Sequence, residues 1–273
     1  MSVFSRSASA RVGGLLLGAV LGLTLLGPLA YPVDPLAMVD MPLLPPLSPH
    51  APLGTDVLGR DLLARMIEGS RTTLLTGAGA GLLAVLTGLM VGLGATSLGG
   101  PAERALQRLT EFFQLLPALL LTMVLIAFLG TGLWVQILTI AALTWPPVAR
   151  VARTEALRLR HMDFVTAARA SGTRPLRILT HTILPNALPP LAAVSGLTIG
   201  TALLYEAGLG FLGLSDPNRL SLGLILGQNR NDLLAAWWTV TLPGLAIFFT
   251  VLGTALLADG LAQALSPHAR NRR

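Results

Sequence analysis

Apolar residues in this chain gather in long blocks separated by short polar or proline-rich stretches. The blocks cover about 12–30, 72–98, 112–129, 133–149, 187–213 and 236–258. Each approaches the roughly 20 residues that a helix needs to cross a hydrocarbon core. The pattern predicts an all-α, polytopic membrane protein with six transmembrane helices. A basic start (Arg6, Arg11) before an apolar run is also the pattern of a cleaved signal peptide. This run is longer than a signal core and more spans follow, so it reads as an uncleaved first span. Pro146 and Pro147 are expected to kink or end the fourth span, and Pro243 to bend the sixth.

Between the first two spans, prolines at 32, 35, 42, 45, 46, 49 and 52 preclude regular helix. From Thr55 the pattern turns helical. Asp56 can cap a helix reaching about Ser70, with Leu58, Leu62 and Met66 on one face and an Asp61–Arg65 pair at i, i+4. Such a helix is expected to lie on the membrane surface. The second span carries Gly77, Gly81, Gly88 and Gly92, small residues that permit close helix approach, either inside the subunit or against a partner. Residues 1–71 thus read as an N-terminal span plus an external loop, 72–263 as the membrane core, and 264–273 as a tail.

Composition narrows the chemistry. Hydrophobic residues make up 53% and charged residues 12%, about half the charged share of a soluble domain. Cysteine is absent and His50, His161, His181 and His268 are scattered, so no metal site is expected. All 19 basic residues are arginine, which excludes a phosphate-binding loop built on lysine and Schiff-base chemistry. No paired carboxylates, and no serine with a base, sit inside the spans. No catalytic residue is therefore expected, and the chain is not read as an enzyme. An ion-coupled transporter, the rival class, would need acidic residues at mid-membrane, and the spans have almost none.

The formal charge of +6 raises nucleic acid as a partner, but its placement argues against that. Six spans put both termini on one side, with fourteen arginines on that side and five on the other. By the positive-inside rule the termini and the arginine-rich loop are cytoplasmic, and no nucleic-acid patch is needed. Anionic membrane lipid is the other natural neighbour of these arginines.

Residues 150–186 form the most polar stretch, with seven arginines: Arg150, Arg153, Arg158, Arg160, Arg169, Arg174 and Arg177. Asp163 is a good N-cap, 164–171 can form two helical turns, and Gly172 suits a C-terminal cap. Pro175 sits where a second helix starts, and that helix is expected to end near Pro185. Leu176, Leu179 and Ile183 give it an apolar stripe. Two short helices with a glycine elbow make a knob, and small Ala167, Ala168 and Ala170 would let it enter a partner's groove.

At these residues the chain resembles type I ABC importer permeases, whose signature is Glu-Ala-Ala, three residues, Gly, nine residues, then Ile-x-Leu-Pro. Thr166-Ala167-Ala168, Gly172 and Leu184-Pro185 stand at the matching positions, while Thr166 replaces the Glu and Thr182 the Ile. LGTDVLGRDLLARMIEGSRTTLL at 53–75, GLGFLGL at 208–214 and the LLADGLAQALSP end of the last span resemble the dipeptide, oligopeptide and nickel permeases in order. The resemblance implies the second permease of a pair in a bacterial or archaeal cytoplasmic (inner) membrane. Its implied partners are a homologous permease, two cytoplasmic ATPases that carry the ATP and Mg, and an external substrate-binding protein. The implied cargo is a di- or oligopeptide, with nickel, metallophore or opine as alternatives on the same framework. It also implies that Asp163, Thr166, Ala167, Ala168, Arg169, Gly172, Leu184 and Pro185 couple to the ATPase. Glu206, Asp56, Arg60 and Asp61 are candidate pathway or external contacts, weighed against capping and anchoring roles.

Overall fold

The computed structural model describes residues 7–266, so Arg6 and the tail arginines Arg270, Arg272 and Arg273 lie outside the described residues. Eleven α-helices make up the described fold, with isolated bridges but no strand. The first, α1 (Ala8–Ala30), is capped by Ser7 and lies along the last, α11 (Trp238–Leu265). Gly13, Gly253 and Gly260 let the two backbones approach: a Cβ at Gly13 would stand 2.5 Å from the Leu257 nitrogen.

Helix α2 (Leu62–Leu98) corrects the expectation of a separate surface helix before the second span. Asp61, not Asp56, is its N-cap, with Oδ1 accepting from the Ala64 N–H at 2.8 Å. Asp56 instead closes a turn, accepting from the N–H groups of Leu58 and Arg60 at 2.8 and 3.0 Å. Gly59, at φ +73°, completes that turn, so the chain cannot be helical before Asp61. Beyond Ser70 nothing interrupts the helix, and it runs straight into the span. Leu62 and Met66 are buried in a cluster with Leu222, Ile225 and Trp238, whereas Leu58 is exposed. Asp61 does not pair with Arg65. Trp238 is buried too, its Nε1 donating to the Thr55 carbonyl at 3.3 Å and tying α11 to the proline-rich loop.

The third and fourth apolar blocks are bent spans. The stretch expected as a loop before residue 112 is the amphipathic helix α3 (Gly100–Leu115), which meets α4 (Ala118–Leu129) at 88°. Pro117 causes the break by removing an N–H and holding Leu116 extended (φ −79°, ψ 135°). Helices α5 (Leu133–Thr144) and α6 (Pro146–Arg160) bend by 41° at Trp145, and α6 carries the chain well into the arginine-rich segment. Four helices are long and apolar enough to span alone, and the count reaches six when each bent pair is one span.

Helices α7 (Asp163–Ala170) and α8 (Pro175–Ile178) follow, then one π turn (Leu179–Ile183) leading directly into α9 (Leu184–Phe211). The short α10 (Leu222–Asn229) packs against α9, α11 and α2. At the centre, α2 is gripped by two neighbours. Gly77 and Gly81 face Leu203 and Ile199 of α9, while Gly88 and Gly92 face Trp145, Val148 and Ala149 of the α5–α6 bend. The glycine spacing of the second span therefore serves packing inside this chain.

Candidate functional site

The arginine-rich segment folds as a knob hung from α6. Val165 of α7 is fully buried and packs with Ala152, Ala156 and Leu159 of α6 and with Ile178 and Ile183. This apolar keel fixes which residues point away. Met162 (38% exposed), Phe164 (44%) and Leu176 (71%) present apolar side chains to the outside. Asp163 is the first residue of α7 and not its cap; Met162 takes that position and no side-chain cap bond forms. A carboxylate there still favours the helix through its dipole.

Thr166 spends its hydroxyl on its own helix, donating to the Met162 carbonyl at 3.4 Å. Ala167 and Arg169 are exposed and Ala168 is half-buried. Gly172 turns the chain at φ +76°, and its N–H donates to the Arg169 carbonyl at 2.9 Å. The glycine elbow expected there is present. A side chain at 172 would meet open space, so glycine is needed for its backbone angle and not for room.

The second half of the knob departs from expectation. The helix does not end near Pro185: 175–211 is one continuous helical path. The π turn makes this possible, because its wider ring absorbs an extra residue just where Pro185 cannot donate. It also rotates the register. Ile178 and Ile183 are buried, whereas Leu176, expected on the apolar stripe, is exposed. Leu184 is half-buried and Pro185 exposed at the start of α9.

At the other end, Asp56, Arg60, Arg65, Asp61 and Tyr31 form a cluster in which both aspartates and Arg65 are fully buried. Asp56 Oδ2 lies 2.8 Å from Arg60 Nε and 3.5 Å from Arg65 Nε. Arg65 Nη2 donates to Gln228 Oε1 at 2.6 Å, joining the loop to α10. Tyr31 donates to Asp61 Oδ2 at 2.7 Å. Burial, followed by that bond and the charge of Asp61, pushes the Tyr31 phenol up to about 12. Of the three loop candidates for external contact, only Arg60 retains solvent access. Glu206 is fully buried in α9, facing Thr73 of α2 and Ser221 at the start of α10. Among the described residues, no group of acidic or histidine side chains is arranged to hold a metal.

Residues 84–271 match the family described as "Binding-protein-dependent transport system inner membrane component". This chain belongs to that family. As a member it is a multi-pass inner-membrane permease subunit and not itself an enzyme. The permease is 36% identical to the di/tripeptide transport system permease protein DppC of Pseudomonas aeruginosa, over 98% of this chain and 91% of the relative. It is 37% identical to the probable D,D-dipeptide transport system permease protein DdpC of Escherichia coli, over 85% and 78%. A MetNI methionine ABC transporter in an inward-facing conformation shares its fold at a TM-score of 0.61 and 22% identity, covering 74% of this chain and 96% of that one.

The family match begins inside α2 and extends past the described residues, against an expected core of 72–263. Val165 and Ile178, which seat the permease's knob, were not foreseen. Their signal was the spacing Ala152, Ala156, Leu159, an apolar stripe on α6 that needs a partner. The exposed Met162 and Phe164 were missed because periodicity alone does not say which apolar face is left uncovered.

Proposed function

We propose that this permease forms half of the pathway of a peptide importer and that 150–186 is the loop through which ATP hydrolysis on separate subunits drives it. The partners are a second homologous permease, two cytoplasmic ATPases holding ATP and Mg, and an external binding protein that delivers a di- or oligopeptide. The termini and the arginine-rich loop face the cytoplasm, as the excess of arginine on that side requires. The peptide assignment follows the names of the relatives over nearly the whole chain.

One observation carries the coupling role: the second half of the knob, from α8 onward, and α9 are parts of one helical path through 175–211. Force applied to α8 by closing ATPases reaches α9 without leaving the helix, and α7 bears on the same path through the packing of Val165 on Ile178 and Ile183. α9 in turn packs on α2, α11 and α10, so its displacement moves the walls of the pathway. Met162, Phe164, Ala167 and Leu176 supply the contact face, and Thr166 and Arg169 its polar edge. Asp163 starts α7, Ala168 backs it against the core, Gly172 sets the angle between the helices, and Leu184 and Pro185 begin the transmitting helix. Arg60, whose side chain is 15% exposed at the opposite end, is the residue placed to meet the binding protein, while Asp56, Asp61 and Glu206 hold the helices that flank it.

The test is Gly172→Leu with uptake and ATP hydrolysis measured together. The expected result is normal membrane insertion, basal hydrolysis no longer stimulated by loaded binding protein, and lost uptake. Unchanged stimulated hydrolysis and uptake would refute the loop's role. Failure of ATPase subunits to co-purify with the wild-type chain in mild detergent would refute the assembly.

A further inference from the structure

Between the knob and the ends of two spans lies a cavity of about 580 Å³. Arg160 at the end of α6 and Arg169 and Arg174 on either side of the elbow all border it. Ser97, from the last turn of α2, lies on one side, and Ile178 and Ile183 form an apolar wall. No acidic residue lines it. None of the three arginines forms an ion pair among the described residues. Arg160 makes only a long bond to the Thr96 carbonyl, at 3.4 Å.

The neighbouring carboxylates are engaged elsewhere: Glu103 pairs with Arg153 and Glu155 with Arg158, each at 2.7 Å. Three guanidinium groups, all on exposed residues, border one concavity, and an anion between them relieves their mutual repulsion. A phosphate group answers this arrangement, since its oxygens accept paired N–H bonds from planar guanidinium forks. Basic pockets beside an apolar wall at the cytoplasmic ends of spans hold anionic lipid headgroups, and this cavity has that make-up at the ends of α2 and α6. The exposed apolar residues Met162, Phe164 and Leu176 do not line the cavity, and Arg169 stands where the cavity meets the proposed ATPase contact.

We infer that the cavity bounded by Arg160, Arg169 and Arg174 binds a phosphate group, either free phosphate or that of an anionic phospholipid headgroup, which would also tie the knob to the membrane surface. The inference does not depend on the peptide assignment. Its test is native mass spectrometry of the full chain released from nanodiscs of phosphatidylcholine with a minority of phosphatidylglycerol. Wild type is expected to retain phosphatidylglycerol, and R160Q/R174Q to lose about tenfold of that retention. R104Q/R108Q, on α3 and outside the cavity, is expected to retain it fully. Binding of inorganic phosphate in pure phosphatidylcholine discs, with the same arginine dependence, assigns the site to the free ion; retention of the lipid alone assigns it to the headgroup.

R160K/R174K keeps the charge and is expected to hold more lipid than the glutamine pair. Equal loss in both pairs together with a lowered melting temperature means a fold defect and overturns the inference, as does equal retention by wild type and R160Q/R174Q. Unchanged retention accompanied by loss of ATPase co-purification would give these arginines to the partner protein, again overturning it.

Discussion

The backbone N–H of Leu184 donates to the carbonyl of Leu179, five residues back and not four. That one wide turn lets the helix pass Pro185, and it joins the knob to a membrane span. Its register, and not the identity of its side chains, sets how α7 and α8 are oriented on α9.

Deleting Thr180, an exposed residue of that turn, therefore tests the transmission directly. Loss of one residue rotates everything before it by about 100° relative to α9. The expected outcome is a chain that still inserts in the membrane but no longer supports uptake, with hydrolysis uncoupled from substrate. Thr180→Ala keeps the length and is expected to transport normally. Uptake assays on the two variants side by side decide the matter.

Gly88 and Gly94 lie on the same helix and predict opposite responses to alanine. A Cβ at Gly88 would stand 2.7 Å from the Trp145 carbonyl oxygen and 2.7 Å from Val148 Cβ, a backbone-backed contact that cannot yield easily. Gly88→Ala is expected to cost about 1–3 kcal/mol through overpacking. At Gly94 nothing lies within 4 Å, and Gly94→Ala is expected to be neutral or mildly stabilising through helix propensity. Thermal melting in detergent would show the difference as a lowered midpoint for the first variant alone.

Asp56 is the only carboxylate within ion-pair distance of Arg65 among the described residues, and both are fully buried. Asp56→Asn leaves a guanidinium charge inside the protein without compensation. It is expected to destabilise the outer loop by about 3–5 kcal/mol, with much of that recovered by pairing it with Arg65→Met. Chemical denaturation of the three variants measures the recovery. A double variant no more stable than Asp56→Asn would show that the loop depends on something other than this pair.

Tyr31 offers a pH signature outside the membrane. Its phenol ionises near pH 10 when free and about 12 in the folded chain, so folding favours the neutral form. The contribution is fully present below pH 10 and fades as pH rises through 12. Tyr31→Phe removes the bond to Asp61 and is expected to cost about 1 kcal/mol at neutral pH. It is also expected to flatten the alkaline loss of stability, followed by denaturation between pH 9 and about 12.

Much of this architecture was legible in the linear order of residues. The spans stood out because hydrocarbon tolerates only long apolar stretches whose backbone groups bond internally. The elbow at Gly172 stood out because few residues other than glycine adopt a positive φ at low cost. The capping of α2 did not. Asp56 and Asp61 are chemically alike and five positions apart, and which one starts the helix depends on Asp40, whose carbonyl packs against Gly59, and on Arg60. Those contacts come from a loop that residue patterns do not place.

The prolines make the division plainest. The sequence alone marked Pro146 and Pro185 as places where a helix is challenged, because each lacks an N–H, while Pro117 lay inside a block that reads as one unbroken span. Only the tertiary structure decided the outcome. At Pro117 the preceding residue goes extended and the span breaks by 88°, and at Pro146 it bends by 41°. At Pro185 the buried Val165, Ile178 and Ile183 hold the flanking turns in place, so a π turn absorbs the defect and the helix continues. A missing hydrogen bond is a local property of one residue. Whether the chain breaks or reroutes around it depends on what packs against the turns on either side.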